Sequence, residues 1–273
     1  MRRFRRVAGG LLLAVLFIYA AIVLVMFLSQ TDLLFPRDAV QRAGPLPLGA
    51  EELQLRTRDG DLLRGVHIPP TERAGAERLL ILGFAGNAWN SQSAAELLHE
   101  IYPTADVVAF HYRGYAPSTG EPSSRALLDD APLVFDIATA RIRPTRIVAV
   151  GFSIGTGVAA TLASERPVDG AILVTPFDSL TSVAESWYPW LPVRALFRHE
   201  IDAAGAIERS RARVAIIAAE RDEVVPPKRT EALRRRVPNL AFDRTVAGAG
   251  HNDIYSHAEF VPAMRAALAA VMR

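Results

Sequence analysis

The sequence predicts an α/β domain built on a mainly parallel β-sheet, preceded by one membrane-spanning helix. Apolar runs typical of buried strands alternate with helical patterns along most of the chain. One of these runs ends in a Gly-x-Ser-x-Gly turn, and the N-terminal 28 residues contain a long uncharged stretch. Because alternating strands and helices form parallel sheets covered on both sides, we expect helices on both faces of this sheet.

The individual elements follow from the periodicity of the apolar residues. Residues 52–57 and 62–68 alternate in polarity around a Gly-containing turn, which predicts an N-terminal antiparallel hairpin. Later strands are predicted at residues 79–82, 107–110, 147–150, 171–174, 214–217 and 240–246, and helices at 91–101, 123–140, 156–163, 230–237 and 257–272. Pro132 is expected to break the second of these helices or to mark its first turn.

Composition and charge exclude several classes of function. The chain has 273 residues, enough for one sizeable domain, and it has no cysteine, which excludes disulfides and thiolate chemistry. Four of the 31 basic residues lie in the first six positions. The rest of the chain has 27 basic and 29 acidic residues, so the folded part is slightly acidic. No basic stripe with interleaved aromatic residues is present, and we therefore expect no nucleic-acid binding.

The N-terminal apolar stretch predicts an uncleaved membrane anchor. Residues 7–28 carry no charge, and roughly 20 such residues suffice to cross a bilayer as a helix. A cleaved signal peptide is the alternative, but its apolar region is shorter and ends in a small-x-small site that is missing here. Residues 1–28 are therefore predicted to be a basic flank and a transmembrane anchor, and the four arginines of the flank place the N-terminus in the cytoplasm. The folded domain then faces outward, which in a bacterium means the periplasm. Residues 29–50 contain three prolines and are expected to form a linker to a domain at residues 51–273.

The Gly-x-Ser-x-Gly turn predicts a nucleophilic serine. Residues 151–155 are Gly-Phe-Ser-Ile-Gly, between a predicted buried strand and a predicted helix. A sharp strand-to-helix turn of this kind is a nucleophile elbow, which exposes the serine at the edge of the sheet and needs small flanking residues. Ser153 is therefore the candidate nucleophile. The simpler alternative is a glycine-lined turn with a capping serine.

A serine nucleophile needs a general base and an orienting acid, which follow it along the chain in this arrangement. Among six histidines, only His251 lies in a glycine-rich loop after the last predicted strand, and it is the candidate base. Asp222 and Asp178 both follow strands that end at the same edge; we favour Asp222 as the acid. A turn or helix-capping aspartate, or a surface-loop histidine, is the simpler alternative for these residues.

The oxyanion of the reaction needs two backbone N–H donors. Ile154 directly follows the nucleophile and supplies the first. The second is expected from the loop at residues 83–88, where we choose Asn87, with Ala88 as its neighbour. The alternative is an ordinary strand-to-helix loop.

Taken together, these residues resemble the α/β-hydrolase superfamily, and within it the small bud-emergence-like serine hydrolases related to the ABHD membrane hydrolases. The motifs that carry the resemblance lie at residues 86–88, 112–115, 151–155, 188–192, 222–226 and 250–253. The resemblance implies esterase, thioesterase or related acyl-hydrolase activity without a metal or organic cofactor. Such relatives usually have histidine where this chain has Ala85.

The sequence thus predicts a membrane-anchored serine hydrolase that cleaves an ester or thioester of a small or lipid-like acyl substrate. A serine peptidase and a non-catalytic binding module on the same fold are the alternatives. Residues 178–210 lie where larger relatives insert a cap, so they form at most a small lid. We favour packing of this segment against the sheet, the alternative being that it lines an acyl pocket or touches lipid.

Overall fold

The computed structural model describes residues 2–72 and 77–273, without the side chains of Arg2 and Arg3. Met1 of the predicted anchor segment and residues 73–76 of the predicted domain lie outside the described residues. The strands are β1 (Glu51–Arg56), β2 (Leu62–Ile68), β3 (Leu79–Phe84), β4 (Asp106–Phe110), β5 (Arg146–Phe152), β6 (Gly170–Val174), β7 (Arg213–Ala219) and β8 (Leu240–Val246). The helices are α1 (Arg2–Leu34), α2 (Ser91–Ile101), α3 (Ser124–Ile142), α4 (Ile154–Glu165), α5 (Leu180–Trp187), α6 (Val193–Leu196), α7 (Ala203–Arg209), α8 (Pro227–Arg234) and α9 (Phe260–Val271).

The eight described strands form one sheet with the order β1-β2-β4-β3-β5-β6-β7-β8. β1 pairs with β2 and β2 with β4 in antiparallel fashion, whereas every pair from β4 to β8 is parallel. The predicted N-terminal hairpin and mainly parallel sheet are therefore confirmed. The carboxyl ends of the parallel strands meet at one edge, where the loops that carry the candidate site residues lie.

The sheet is covered by helices on both faces, as predicted. Buried side chains of α2 and α9 form one core with the sheet, and those of α3, α4 and α7 form the other. The strands β4 and β6 are buried along their whole length, in agreement with the apolar runs at residues 107–110 and 171–174. Together the topology and the two cores confirm the α/β-hydrolase fold class.

The prediction that Pro132 breaks a helix or marks its first turn is wrong. α3 begins at Ser124 and continues through Pro132 to Ile142. Its start is set by Ser123, whose hydroxyl accepts a hydrogen bond from the N–H of Ala126. Proline removes one intrahelical hydrogen bond, but the apolar residues on either side of it are packed in the core and hold the helix together.

α1 is long and apolar enough to cross a membrane, by length and composition, and its apolar side chains are largely exposed. The segment after it differs from the expected linker at residues 29–50. Residues 29–34 continue α1, and Phe35 is only 1 % exposed because it belongs to the core that also contains side chains of α3 and α4. The first part of the expected linker is therefore helical, and Phe35 packs into the core of the domain.

Residues 178–210 divide into two parts. α7 packs against α4 and is buried in the core, which agrees with the expected packing against the sheet. α5 and α6, together with the segment that joins them, lie instead against the second half of α1 and line a groove with it. We refer to residues 180–197 as the lid.

Candidate active site

Ser153 lies at the junction of β5 and α4 in a backbone conformation that few side chains adopt, with φ 49° and ψ −117°. Such a conformation costs about 1–3 kcal/mol and persists only where the surroundings enforce it. They do so here because the turn is very tight: a Cβ on Gly151 would overlap the backbone of Gly155, and a Cβ on Gly155 would overlap the carbonyl of Phe84. The two glycines of the motif are thus required by packing.

The structure brings Ser153, His251 and Asp222 into one hydrogen-bonded chain. The Nε2 atom of His251 lies 2.9 Å from the Oγ atom of Ser153, and its Nδ1 atom lies 2.8 Å from Oδ2 of Asp222. Since a carboxylate only accepts hydrogen bonds, Nδ1 carries the proton and Nε2 is free to accept from the serine. The Asp222 carboxylate also accepts from the N–H groups of Val224 and Val225, at 2.9 and 2.6 Å.

The competing aspartate, Asp178, has a different partner. One of its carboxylate oxygens accepts a hydrogen bond from Arg229 at 3.2 Å. Its backbone carbonyl accepts from the N–H of Ala204 at the start of α7. Asp178 therefore joins α7 to α8, and Asp222 is the aspartate that contacts His251.

Glu223 fixes the loop that carries the histidine, and the sequence analysis missed it. Its carboxylate accepts the backbone N–H of His251 at 2.9 Å, and this bond is the main reason that the pKa of Glu223 lies below its ordinary value. A Cβ on Gly250 would approach the same carboxylate to 2.7 Å, so glycine lets the two loops meet. The available signal was the position of Glu223 beside Asp222, in the same loop after β7.

The predicted oxyanion loop lies against the nucleophile. A Cβ placed on Gly86 would contact the Cβ of Ser153 at 3.8 Å and the carbonyl of Phe152 at 3.7 Å. Ile154 is the first residue of α4, so its N–H has no acceptor within the helix and stands at the positive end of the helix dipole. Asn87 lines the same cleft as Ser153.

The side chain of Asn87 makes hydrogen bonds to α1 and to the loop after β4. Its amide group donates to the carbonyl of Leu34, the last residue of α1, and its oxygen accepts from the hydroxyl of Tyr115. Two positions earlier in the loop, the carbonyl of Ala85 accepts a hydrogen bond from the hydroxyl of Tyr112 at 2.8 Å. Both tyrosines belong to the 112–115 motif, but the sequence alone did not assign them this supporting role.

The loop that carries the two tyrosines is itself anchored by a buried ion pair. Arg113 donates two parallel hydrogen bonds to Asp130 of α3, at 2.8 and 2.7 Å, and a third to Asp59 at 2.6 Å. A bidentate pair of this kind fixes orientation as well as distance. The tyrosine hydroxyls are thereby presented to the oxyanion loop from a rigid base.

A cleft of about 520 Å³ opens above Ser153 and His251. Trp89 and Tyr255 line it, their ring centroids 5.1 Å apart, and both rings pack against Phe152. Burial raises the pKa of Tyr255 above its ordinary value, so its hydroxyl stays neutral. Within residues 2–72 and 77–273, no group of three or more His, Cys, Asp or Glu side chains has the arrangement of a metal site.

Comparison with known proteins gives relatives of the same fold. Residues 79–206 match the family described as alpha/beta hydrolase fold. The uncharacterized protein Rv2307c of Mycobacterium tuberculosis is 33% identical over 220 residues, which cover 77% of this chain and 78% of that protein. The lysophosphatidylserine lipase ABHD12 of Danio rerio is 32% identical over 138 residues, 44% of this chain and 36% of the lipase.

Among solved structures, the esterase PF2001 of Pyrococcus furiosus superimposes with a TM-score of 0.68. The superposition covers 85% of this chain and 96% of the esterase, at 18% sequence identity. At this identity the likeness concerns the fold: a parallel sheet with helices on both sides and the functional loops at one edge.

Proposed function

The chain belongs to the α/β-hydrolase family, and from this premise we propose that it is a membrane-anchored serine hydrolase that cleaves a carboxylic ester or thioester. One observation carries the proposal. The hydroxyl of Ser153, in its enforced elbow conformation, lies within hydrogen-bond distance of His251, which is in turn bonded to Asp222. This is the geometry that an activated serine nucleophile requires.

In the first half of the proposed reaction, Ser153 attacks the substrate carbonyl. Nε2 of His251 takes the hydroxyl proton as the Oγ–carbon bond forms, and the carbonyl electron pair moves to the oxygen. Asp222 holds the Nδ1–H and stabilises the imidazolium. The N–H groups of Ile154 and Asn87 are the proposed donors to the oxyanion. When the tetrahedral intermediate collapses, His251 returns the proton to the departing alcohol or thiol, and the acyl group stays on the serine.

The second half repeats these steps with water as the nucleophile. His251 removes a proton from the water, the acyl–oxygen bond to Ser153 breaks, and the serine recovers its proton. The open cleft beside Trp89 and Tyr255 gives water and a leaving group access to this bond. Every proton passes through the one imidazole, so the residues of this chain suffice for a complete cycle.

The membrane anchor is part of the same proposal. α1 has the length and composition to span a bilayer, and the arginines before it favour a cytoplasmic N-terminus. We propose residues 1–28 as basic flank and anchor, 29–50 as the connection, and 51–273 as the catalytic domain, outside the cytoplasm. Alkaline phosphatase fused to the C-terminus should then be active in a bacterium, and a fluorescent protein fused at the same position should stay dark. An inactive phosphatase fusion together with a fluorescent second fusion would place the domain in the cytoplasm.

A serine peptidase is the alternative activity on this fold. Amides have a poorer leaving group than esters, so their cleavage needs precise protonation of the leaving nitrogen by His251. We expect turnover of short-to-medium acyl esters such as p-nitrophenyl butyrate and little turnover of aminoacyl amides. Efficient amide cleavage with negligible ester cleavage would favour the peptidase.

Active-site labelling tests the proposal directly and separates an enzyme from a binding module. A fluorophosphonate should label the wild-type protein, and Ser153→Ala should abolish both labelling and ester hydrolysis while the domain stays folded. Ser164→Ala is a matched control, because it makes the same change at the far end of α4. If Ser153→Ala still reacts with the fluorophosphonate, or if the wild type does not, the proposed nucleophile is wrong.

A further inference from the structure

The lid contacts the membrane helix along much of its second half. The hydroxyl of Tyr19 donates to the backbone carbonyl of Trp190 at 2.9 Å, and the two rings pack edge to face with centroids 6.4 Å apart. Closer to the domain, the side chain of Gln30 donates to the carbonyl of Leu196 at 3.3 Å. The lid and α1 therefore lie side by side from Tyr19 onward.

The depth of this contact follows from the position of the charges along α1. Arg6 is the last charged residue before the apolar stretch, and Asp32 is the next. A helix needs about 20 residues to cross the hydrocarbon core and rises about 1.5 Å per residue. A span that starts at Val7 therefore ends near Met26, so Tyr19 lies on the order of 10 Å inside the hydrocarbon.

A lid surrounded by water is incompatible with these numbers. α1 would then have to leave the bilayer before Tyr19, and only about 12 uncharged residues would remain for a crossing that needs roughly 20. The missing length would draw Arg5 and Arg6 into the hydrocarbon and expose the apolar residues after Tyr19 to water. Both consequences are costly.

The surface of the lid is suited to lipid. The segment at residues 187–192 is Trp-Tyr-Pro-Trp-Leu-Pro, with Trp187 51% and Trp190 50% exposed. Tryptophan and tyrosine are the side chains enriched where a membrane meets water. A groove of about 260 Å³ between this segment and α1 is lined almost wholly by apolar side chains, among them Val23, Phe27 and Val183.

Charged residues at the base of the lid limit how deep it lies. Arg194 and Glu185 form a two-pronged ion pair on either side of residues 187–192, at 2.5 and 3.1 Å. Arg198 stacks over the ring of Phe27 at 4.2 Å and donates to its carbonyl. The charged side chains of Glu185, Arg194 and Arg198 are expected at the level of the lipid headgroups. Residues 187–192 would then lie about 5–10 Å deeper in the leaflet.

We propose that residues 187–192 are embedded in the bilayer leaflet on the side of the catalytic domain, and that acyl chains of this leaflet fill the groove between the lid and α1. The inference rests on the proposed anchoring by α1. It makes the lid a second membrane contact of the domain, independent of which ester is cleaved.

The absence of cysteine from the chain allows a test with single nitroxide labels. Trp190→Cys reports on the lid, Leu16→Cys on the middle of α1, and Glu165→Cys, exposed at the end of α4 opposite the nucleophile, on water. In phosphatidylcholine–phosphatidylglycerol vesicles, the ratio of collisions with oxygen to collisions with a water-soluble nickel chelate should be several-fold higher at 190 and 16 than at 165. Retained fluorophosphonate labelling verifies the fold of each variant.

The outcomes separate the inference from its premise. If position 16 is protected from nickel but position 190 is as accessible as 165, α1 is an anchor and the embedded lid is wrong. If position 16 is also accessible, the anchoring itself fails. Brominated phosphatidylcholine provides a second measurement without cysteine: it should quench tryptophan fluorescence in the wild type and clearly less in Trp190→Phe. Because Trp187 lies in the same segment, the decisive comparison is with Trp187→Phe/Trp190→Phe, which keeps only Trp89. Equal quenching of the wild type and this double variant would overturn the proposal.

Discussion

The two halves of the candidate site are held in place in different ways. Asp222 and His251 are fixed by neighbours in their own two loops, through backbone N–H groups and the carboxylate of Glu223. The proposed oxyanion loop has one backbone hydrogen bond of its own, from the N–H of Trp89 to the carbonyl of Gly86 at 3.3 Å. Its residues Ala85 and Asn87 are held by tyrosines from the loop after β4 and by the last carbonyl of α1.

This difference separates the proposed acid–base half of the site from the half that contacts α1. The acid–base half depends only on the catalytic domain, so we expect it to be insensitive to the position of α1. The oxyanion half includes a hydrogen bond from Asn87 to Leu34, and Phe35 is buried directly after it. Substitutions in the two halves should therefore differ in size and in the kinetic constant that they affect.

The largest effect is expected in the acid–base half. Asp222→Asn keeps the shape of the side chain but removes the carboxylate that fixes the tautomer of His251, so kcat should fall by about 10⁴. Asp178→Asn is the matched control and should alter kcat far less, since Asp178 pairs with Arg229. Ester hydrolysis by the two purified variants measures the difference. If Asp178→Asn is the more damaging with the fold intact, the acid is assigned to the wrong residue.

An intermediate effect is expected from the oxyanion half. Asn87→Ala keeps the backbone N–H but removes both hydrogen bonds of the side chain, so the loop loses its ties to α1 and Tyr115. Displacement of about 1 Å in a catalytic group costs up to about 10² in rate. We expect a loss of that size in kcat, with fluorophosphonate labelling slowed but complete.

Asn239→Ala is the control for this experiment, because Asn239 is exposed and its amide makes only a long contact to the carbonyl of Arg211. Its kcat should equal that of the wild type. If Asn87→Ala also retains full kcat, the contacts to α1 and Tyr115 do not position the loop, and the contrast between the two halves disappears.

The same contrast separates what the sequence reveals about the site from what it does not. Ser153, Asp222 and His251 are predictable because each follows a predicted strand, and the ends of parallel strands share one edge. The hairpin and the sheet were predictable from apolar periodicity. The supporting residues Tyr112 and Glu223 were not, because their roles depend on contacts between loops distant in sequence.

Two departures have physical causes that the local sequence does not contain. Pro132 was expected to interrupt a helix, and the packing of α3 into the core outweighs its lost hydrogen bond. The three prolines and weak periodicity of residues 29–50 predict a linker. In the structure Phe35 is buried in the core, and the side chains of Asn90 and Gln92 bind backbone carbonyls at Gln41 and Gly44.

A smaller effect is expected when one supporting hydrogen bond is removed. Tyr112→Phe removes the hydroxyl that donates to Ala85, and Tyr102→Phe removes an equivalent bond to Met264, on the other face of the sheet. Each loss costs about 1 kcal/mol of stability. Only Tyr112→Phe should also lower kcat, by roughly 5- to 10-fold, since about 1 kcal/mol corresponds to such a factor. Equal kcat values in the two variants would show that the hydroxyl only stabilises the fold.

The smallest effect at neutral pH is expected at His111, which directly follows β4 and precedes the loop of the two tyrosines. Its contribution to the free energy of unfolding should change with pH. Burial lowers the pKa of His111 to about 4 from its ordinary 6.5. Asp130, the carboxylate that lines the same small cavity, is already bound by Arg113 and is not free to pair with a charged imidazole.

Protonation of His111 therefore favours the unfolded chain, which binds the proton at the higher pH. The contribution of the neutral imidazole is complete above pH 6.5 and is lost progressively as the pH falls towards 4, by up to about 3 kcal/mol. Thermal unfolding of the wild type and His111→Gln, compared from pH 7 to pH 4, measures this loss. The stability of the variant should fall less steeply than that of the wild type below pH 6.5. Parallel curves would mean that protonation of His111 does not contribute to the loss of stability in acid.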